Sequence, residues 1–178
     1  DVEFVPGLLK IINEIIDNSV DIAIKTDFKG CDEVSVKMNE EYIEIVDNGP
    51  GIPVKKNEDG EYLPFVCWGY AMSGSNFDND ENRKAIGMNG VGSYCTNVWS
   101  KKFTGISDDG LNRYEVTFKD NASQFTETVK KTSKKGVSVK FYPDLERFGL
   151  EKITQTHIEL IKQRLINLSM SFPKIAFK

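Results

Sequence analysis

The chain has 178 residues, 39% of them hydrophobic and 28% charged, with a net charge of −4. This composition fits an ordinary globular domain with a sizeable core. It excludes an overall basic field of the kind that holds nucleic acid, and no apolar run approaches the ~18 residues of a membrane span. No stretch reads as a signal peptide, and the first residue is Asp, which points to a fragment of a longer protein. Cys31, Cys67 and Cys95 are odd in number and far apart, so they read as reduced thiols of a cytoplasmic protein. A single histidine, His157, argues against histidine triads and histidine-ligated zinc.

Pro6 to Lys25 predicts one long helix after a Pro-Gly turn. Leu8, Leu9, Ile11, Ile12, Ile15, Ile16, Val20 and Ala23 cover most of its circumference. Lys10, Glu14, Asp17, Asn18, Asp21 and Lys25 share the remaining arc of roughly 100°. Such a helix is packed on most sides, so its polar stripe either faces water or lines a polar site. Glu14 and Asn18 are four apart and stack on one face, pairing a candidate general base with a neutral oxygen ligand. Asp32 to Met38 and Tyr42 to Val46 alternate as a β-hairpin. It runs into Asp47-Asn48-Gly49-Pro50-Gly51-Ile52-Pro53, a fixed tight path ending a strand, where a polar side chain such as Asp47 often meets a ligand.

Tyr62 to Ser73 reads as helical and Gly74 to Lys84 as a mobile polar surface segment. Gly87-Met88-Asn89-Gly90-Val91-Gly92 precedes a helical stretch, Ser93 to Ser100. A glycine-rich loop entering a helix presents backbone N–H groups to an anion. It is neither a Walker A motif nor a Rossmann fingerprint. Lys102 to Ile106, Tyr114 to Lys119, Phe125 to Lys130 and Gly136 to Tyr142 read as strands. Ile153 to Ser169 follows as an amphipathic helix, and Lys174 to Phe177 as a last strand. Local basic clusters stand at Lys101-Lys102 and at Lys130, Lys131, Lys134 and Lys135.

Glu14-x-x-x-Asn18, DNGPGIP and GMNGVG, in that order, resemble the GHKL (Bergerat-fold) ATPases. EIIDNSVD, GMNGVGSYCTNVWSKKF and GVSVKFYPDLERF resemble most the type II DNA topoisomerases, those of T-even-type phages in particular. The likeness runs from about Val5 to the C-terminus. It implies a single GHKL domain over residues 1–178: an α+β, two-layer α/β sandwich whose mixed, mostly antiparallel sheet carries helices on one face. It implies ATP and Mg²⁺ as ligands, with Glu14 as the general base on water and Asn18 as the Mg²⁺ ligand. Asp47 would accept a hydrogen bond from the adenine amino group, Gly51 would let the adenine edge come close, and Ile52 and Pro53 would wall the base. Gly87, Asn89, Gly90, Val91, Gly92 and Ser93 would wrap the phosphates, and residues 74–86 would form a lid.

Four positions depart from the resembled pattern. Pro50 stands where the gyrase branch has Arg. Val137 stands where many relatives have a Thr near adenine, Asn76 replaces a lid lysine, and Ile22 replaces an acidic residue. The resemblance further implies homodimerisation of the ATPase region, an arm before Asp1, a γ-phosphate lysine in a transducer domain beyond Lys178, and DNA and other topoisomerase subunits as partners. It implies no membrane partner, and a host-cytoplasmic location if the gene is a phage's. Other GHKL members, a MutL-like protein or a chaperone, and a non-hydrolysing nucleotide-binding module are the alternatives.

Overall fold

The computed structural model describes residues 4–71 and 91–178. In chain order the described residues form α1 (Pro6–Lys25), β1 (Glu33–Met38), β2 (Ile43–Asp47), α2 (Leu63–Gly69), α3 (Gly92–Val98), β3 (Ser100–Asp109), β4 (Asn112–Lys119), β5 (Gln124–Lys131), β6 (Lys135–Pro143), a 3-10 turn (Leu145–Phe148), α4 (Gln155–Ser171) and β7 (Ala176–Phe177). The strands make one sheet in the order β5-β4-β3-β6-β2-β1-β7. Every pairing is antiparallel except the short parallel contact of β7 with β1. The expected two-layer α/β sandwich is therefore the fold.

Period-2 alternation decides which face is covered. Val34, Ile43, Ile45, Phe103, Tyr114, Val116, Phe118, Val139 and Phe141 are buried on the inner face. The residues between them, among them Glu44, Lys102, Thr104, Thr117 and Lys140, form an outer face that stays at least partly exposed. The helix layer covers the far edge only thinly: Phe65 of α2 reaches Phe125, with ring centres 4.8 Å apart, yet every residue of β5 stays exposed. Against the inner face α1 lays Leu8, Ile12, Ile16, Val20 and Ala23, none of which retains exposed surface. Pro6 pre-sets the first turn of α1 after an extended Val5. At its other end the Thr26 hydroxyl bonds the Ile22 and Ala23 carbonyls, and Asp27 and Phe28 turn to positive φ.

Three features differ from the sequence reading. The polar stripe of α1, read as either facing water or lining a polar site, is in part covered by another helix: Asp17 and Asp21 are buried, and the Asp17 carboxylate pairs with Arg164 of α4. Burial pushes the Asp17 carboxyl above its ordinary pKa, and the Arg164 guanidinium opposes that shift. β3 runs on past Ile106 to Asp109, because it is paired along its length by β4 on one side and β6 on the other. Cross-strand partners thus override the weak propensity of Ser107-Asp108-Asp109. Pro143, one residue past the expected strand Gly136 to Tyr142, closes β6 as its last paired residue, opposite Ser100 at a register shift.

His157 fastens the two ends of the helix layer. It is fully buried. Its Nε2 accepts the Val5 N–H at 2.9 Å, so the ring proton sits on Nδ1 and is directed at Thr154 Oγ1, 2.6 Å away, at the N-cap of α4. The neutral ring fits this arrangement and burial lowers its pKa. The unfolded chain takes up the proton below about pH 6.5, while the folded chain resists it. Stability is therefore fully present above that pH and declines as pH falls below it. Urea unfolding between pH 7.5 and about 5.5 is expected to show this decline in the native chain and a flatter profile in His157→Gln; equal slopes in the two would remove the assignment.

Candidate active site

The last residue of β2, Asp47, is a buried carboxylate with donors on both oxygens. Its register places it between Val34 of β1 and Val137 of β6, on the inner face and buried. Oδ1 accepts the N–H groups of Gly49 at 2.9 Å and Val137 at 3.3 Å, and Oδ2 accepts the Ser19 hydroxyl at 2.9 Å. Burial raises the Asp47 pKa, and these three donors oppose the rise. Donors on both oxygens suit the ionised form, which only accepts. Of its roughly four acceptor positions, one on Oδ2 has no partner among the described residues, which leaves room for a ligand N–H. Cys31 packs close by, and burial together with the Asp47 charge pushes its thiol up to about 12.

The turn after Asp47 is bolted to the end of β3. Ile52 N–H donates to Ser107 Oγ at 2.7 Å, and that hydroxyl donates to the Ile52 carbonyl at 2.8 Å. Val54 N–H donates to Asp109 Oδ2 at 2.8 Å. Gly51 has φ +79, and a Cβ there would overlap the Asp108 carbonyl group. Its glycine is thus required by the close crossing of turn and strand. Ile52 is half-buried against the core while Pro53 is exposed. Ile22, in the place of an acidic residue, packs beneath Gly49.

On the next turns of α1 lie Glu14 and Asn18, both facing the start of α3. Lys10, one turn earlier, is paired with the Glu14 carboxylate, whose side chain is only 19% exposed. The other Glu14 oxygen lies against the backbone of Gly92, where any Cβ would displace it. The glycine at 92 therefore makes room for the carboxylate. Asn18 Nδ2 donates to Ser93 Oγ at 2.8 Å, leaving the Asn18 carbonyl oxygen with no partner among the described residues. α3 is held to α1 by the buried Thr96 hydroxyl, which donates to the Ile11 carbonyl at 2.8 Å.

Helix α1 thus brings Glu14, Asn18 and, through Ser19, Asp47 to one region. Val91, Gly92 and Ser93 open α3 there, and Val137 joins it through its main-chain N–H while its side chain packs on the core. Asn76, Gly87, Asn89 and Gly90, and the segment 74–86, lie outside the described residues. Ser19 and Ser107 were not singled out in the sequence, and Lys10 entered only as part of the polar stripe of α1. A hydroxyl at 19 falls on the apolar side of the helix wheel, and that misplaced polar residue was the available signal. No group of three or more potential metal-ligating side chains occurs among the described residues.

The crossing at Gly51 yields a direct test. Gly51→Ala combines a disfavoured φ with overlap on the Asp108 carbonyl. It is expected to cost about 2–4 kcal/mol in urea unfolding, whereas alanine at the neighbouring exposed Pro50 costs far less.

The family described as histidine kinase-, DNA gyrase B- and HSP90-like ATPases matches residues 5–147. The DNA topoisomerase large subunit of Enterobacteria phage T4 is 37% identical over 99% of this chain, which spans 35% of that protein. DNA topoisomerase 2 of Candida glabrata is 32% identical over 96% of the chain, which spans 12% of that protein. Among solved structures, the ATPase region of Saccharomyces cerevisiae topoisomerase II bound to ICRF-187 superposes with a TM-score of 0.88 at 28% identity, over 98% of this chain and 48% of that one. The ATPase and transducer domains of topoisomerase II from Balamuthia mandrillaris give a TM-score of 0.85 at 28% identity, over 90% of this chain and 44% of that one. With four-fifths of its length matched by the family and its relatives and structural neighbours drawn from the type II topoisomerases, the chain belongs to the histidine kinase-, DNA gyrase B- and HSP90-like ATPase family.

Proposed function

We propose that the chain is the ATP-binding and ATP-hydrolysing domain of a type II DNA topoisomerase, in which nucleotide binding closes a dimeric clamp on DNA. The observation that carries the reading is the Asp47 carboxylate, held by three donors on the inner face with one acceptor position to spare. A rigid carboxylate of this kind selects a base bearing an amino group, as adenine does, since an amino group is a donor and a carbonyl is not. The whole enzyme's DNA substrate, its other subunits and its dimer belong to the same proposal, because the chain spans about a third of its phage relative.

The residues fit a magnesium triphosphate. Among the described residues the Asn18 side-chain oxygen has no partner and no carboxylate cage surrounds it. Mg²⁺ typically takes one or two protein oxygens and completes its shell with phosphates and water. When bound, the ion would neutralise charge developing on the phosphates. The remaining steps belong to the chain's own groups. Glu14, steadied by Lys10 on one oxygen and by the Gly92 backbone at the other, orients a water and accepts its proton as the water oxygen bonds to the γ-phosphorus and the bridging oxygen departs with ADP. Val91, Gly92 and Ser93 open a helix beside it, and their backbone N–H groups face the phosphates in this reading.

Two substitutions separate binding from chemistry. Asp47→Asn turns an acceptor into an amide that can present a donor. It should weaken ATP binding in calorimetry by roughly five- to 150-fold, the equivalent of about 1–3 kcal/mol. Glu14→Ala should leave ATP affinity near that of the native chain while turnover falls. Unchanged affinity in the first variant would remove Asp47 from the base site; unchanged turnover in the second would remove Glu14 as the base. Lys10→Ala is expected to lower kcat with little change in KM, by less than Glu14→Ala does, since it only loosens the base.

A further inference from the structure

The outer face of the sheet gathers a basic and aromatic corner that neither basic run in the sequence announces. The run at 101–102 splits: Lys101 lies 3.3 Å from Asp144 Oδ1, whereas Lys102 points from the outer face. There Lys102 stands directly opposite Lys119 across β3 and β4, and opposite Tyr142 across β3 and β6. Lys140 sits two residues back along β6, opposite Thr104. The ammonium groups of Lys102 and Lys140 lie 5.9 and 5.7 Å from the centre of the Tyr142 ring, and Lys140 lies 3.9 Å from that of Tyr42. The Tyr42 and Tyr142 rings are 5.6 Å apart.

Among the described residues none of Lys102, Lys119 and Lys140 has an ion pair within 4.0 Å. Glu44 faces Lys140 across β2 and β6 without pairing with it, and Glu115 lies two rows from Lys119 on the same face. Like charges directly opposite one another in a sheet are destabilising, and cation–π contacts at exposed rings offset only about 0.5–1 kcal/mol each. In a chain of net charge −4, the opposed pair Lys102 and Lys119 with Lys140 diagonally beside Lys102, none of them ion-paired among the described residues, fits a polyanion that neutralises them together.

We propose that this corner binds the phosphate backbone of duplex DNA. Lysine ammonium groups and the adjoining row of hydroxyls, Thr104, Thr117 and Thr126, are phosphate-contacting chemistry. Gln124, opposite Lys119 across β4 and β5, donates to the Asp120 carboxylate at 3.3 Å, and the three lysines themselves are phosphate-contacting groups, so the contact is independent of sequence. DNA is favoured over other polyanions because the relatives are named DNA topoisomerases. The corner lies on the face opposite Asp47, near the other end of the strands, so this inference stands or falls separately from the nucleotide reading.

The test is fluorescence anisotropy of a short random-sequence duplex with the chain, from about 50 to 200 mM salt. K102Q/K119Q/K140Q should weaken binding about tenfold or more, and the slope of log K against log salt should become shallower by about 2–3, close to one per lost phosphate contact. Its ATP affinity should match that of the native chain, which reports the fold. K102R/K119R/K140R, which keeps the charge, should bind like the native chain, as should K130Q/K131Q/K134Q/K135Q in the other basic cluster. The proposal is overturned if the triple glutamine variant keeps native affinity and slope, if the arginine variant loses as much, if the other cluster carries the loss, or if the native chain leaves the duplex free at 50 mM salt, whether or not it binds phosphatidylserine vesicles or a polyglutamate peptide.

Discussion

One buried carboxylate ties the helix layer to the sheet. Asp47 is gripped by a hydroxyl from α1, by an N–H of the turn that follows it and by an N–H of β6. A buried charge is tolerable only when it is hydrogen-bonded, so the three donors cannot drift apart without exposing it to a large desolvation penalty. The carboxylate thereby fixes the height of α1 over the sheet, the departure of the chain from β2 and the register of β2 on β6. Everything else in the site is measured from that point. α1 rises 1.5 Å per residue, so Asn18 and Glu14 stand at set distances up the same helix from Ser19.

The turn and the second helix are then placed by close approach rather than by side-chain bulk. Gly51 lets the turn cross the Asp108 carbonyl, where Ser107 and Asp109 hold it. Gly92 lets α3 meet the Glu14 carboxylate, and Thr96 locks the two helices through a main-chain oxygen. Both glycines sit in segments whose glycine content suggests ligand approach. At these two positions the partner of the bare Cα is the protein itself: a strand carbonyl in one case, the candidate base in the other. The expectation that Gly51 admits the adenine edge is thus joined by a structural demand that holds with or without nucleotide.

The sequence made the fold legible because its signals agreed. The amphipathic wheel of α1, the alternation of the strands and the turn residues between them all described a two-layer sandwich, and the architecture followed. The Glu14–Asn18 spacing and the end-of-strand Asp47 were also readable, since both depend on local geometry. What escaped was non-local. The partner of Asp17 is Arg164, 147 residues away, and no wheel reveals that part of the polar stripe is capped by another helix. Ser107 is buried in a strand whose length only its neighbours explain, and Lys102, Lys119 and Lys140 meet only once three strands are in register. Asn76, Gly87, Asn89 and Gly90 lie outside the described residues, so the phosphate loop is represented by Val91, Gly92 and Ser93.

The wiring of α1 has a kinetic corollary. The helix is near the start of the chain, yet its side chains and first amides are satisfied by Asp47, Ser93, His157 and Arg164, at separations of 28, 75, 152 and 147 residues. Loop-closure entropy must be met before such contacts return anything, so folding dominated by them is slow. During synthesis α1 emerges before the other described elements of the domain and waits until α4 has been made before its last face is covered. Over that interval it presents a long greasy stripe to the surrounding solution, which is the condition under which nascent chains aggregate or recruit holdases. The element that organises the finished domain is thus also its chief liability during synthesis.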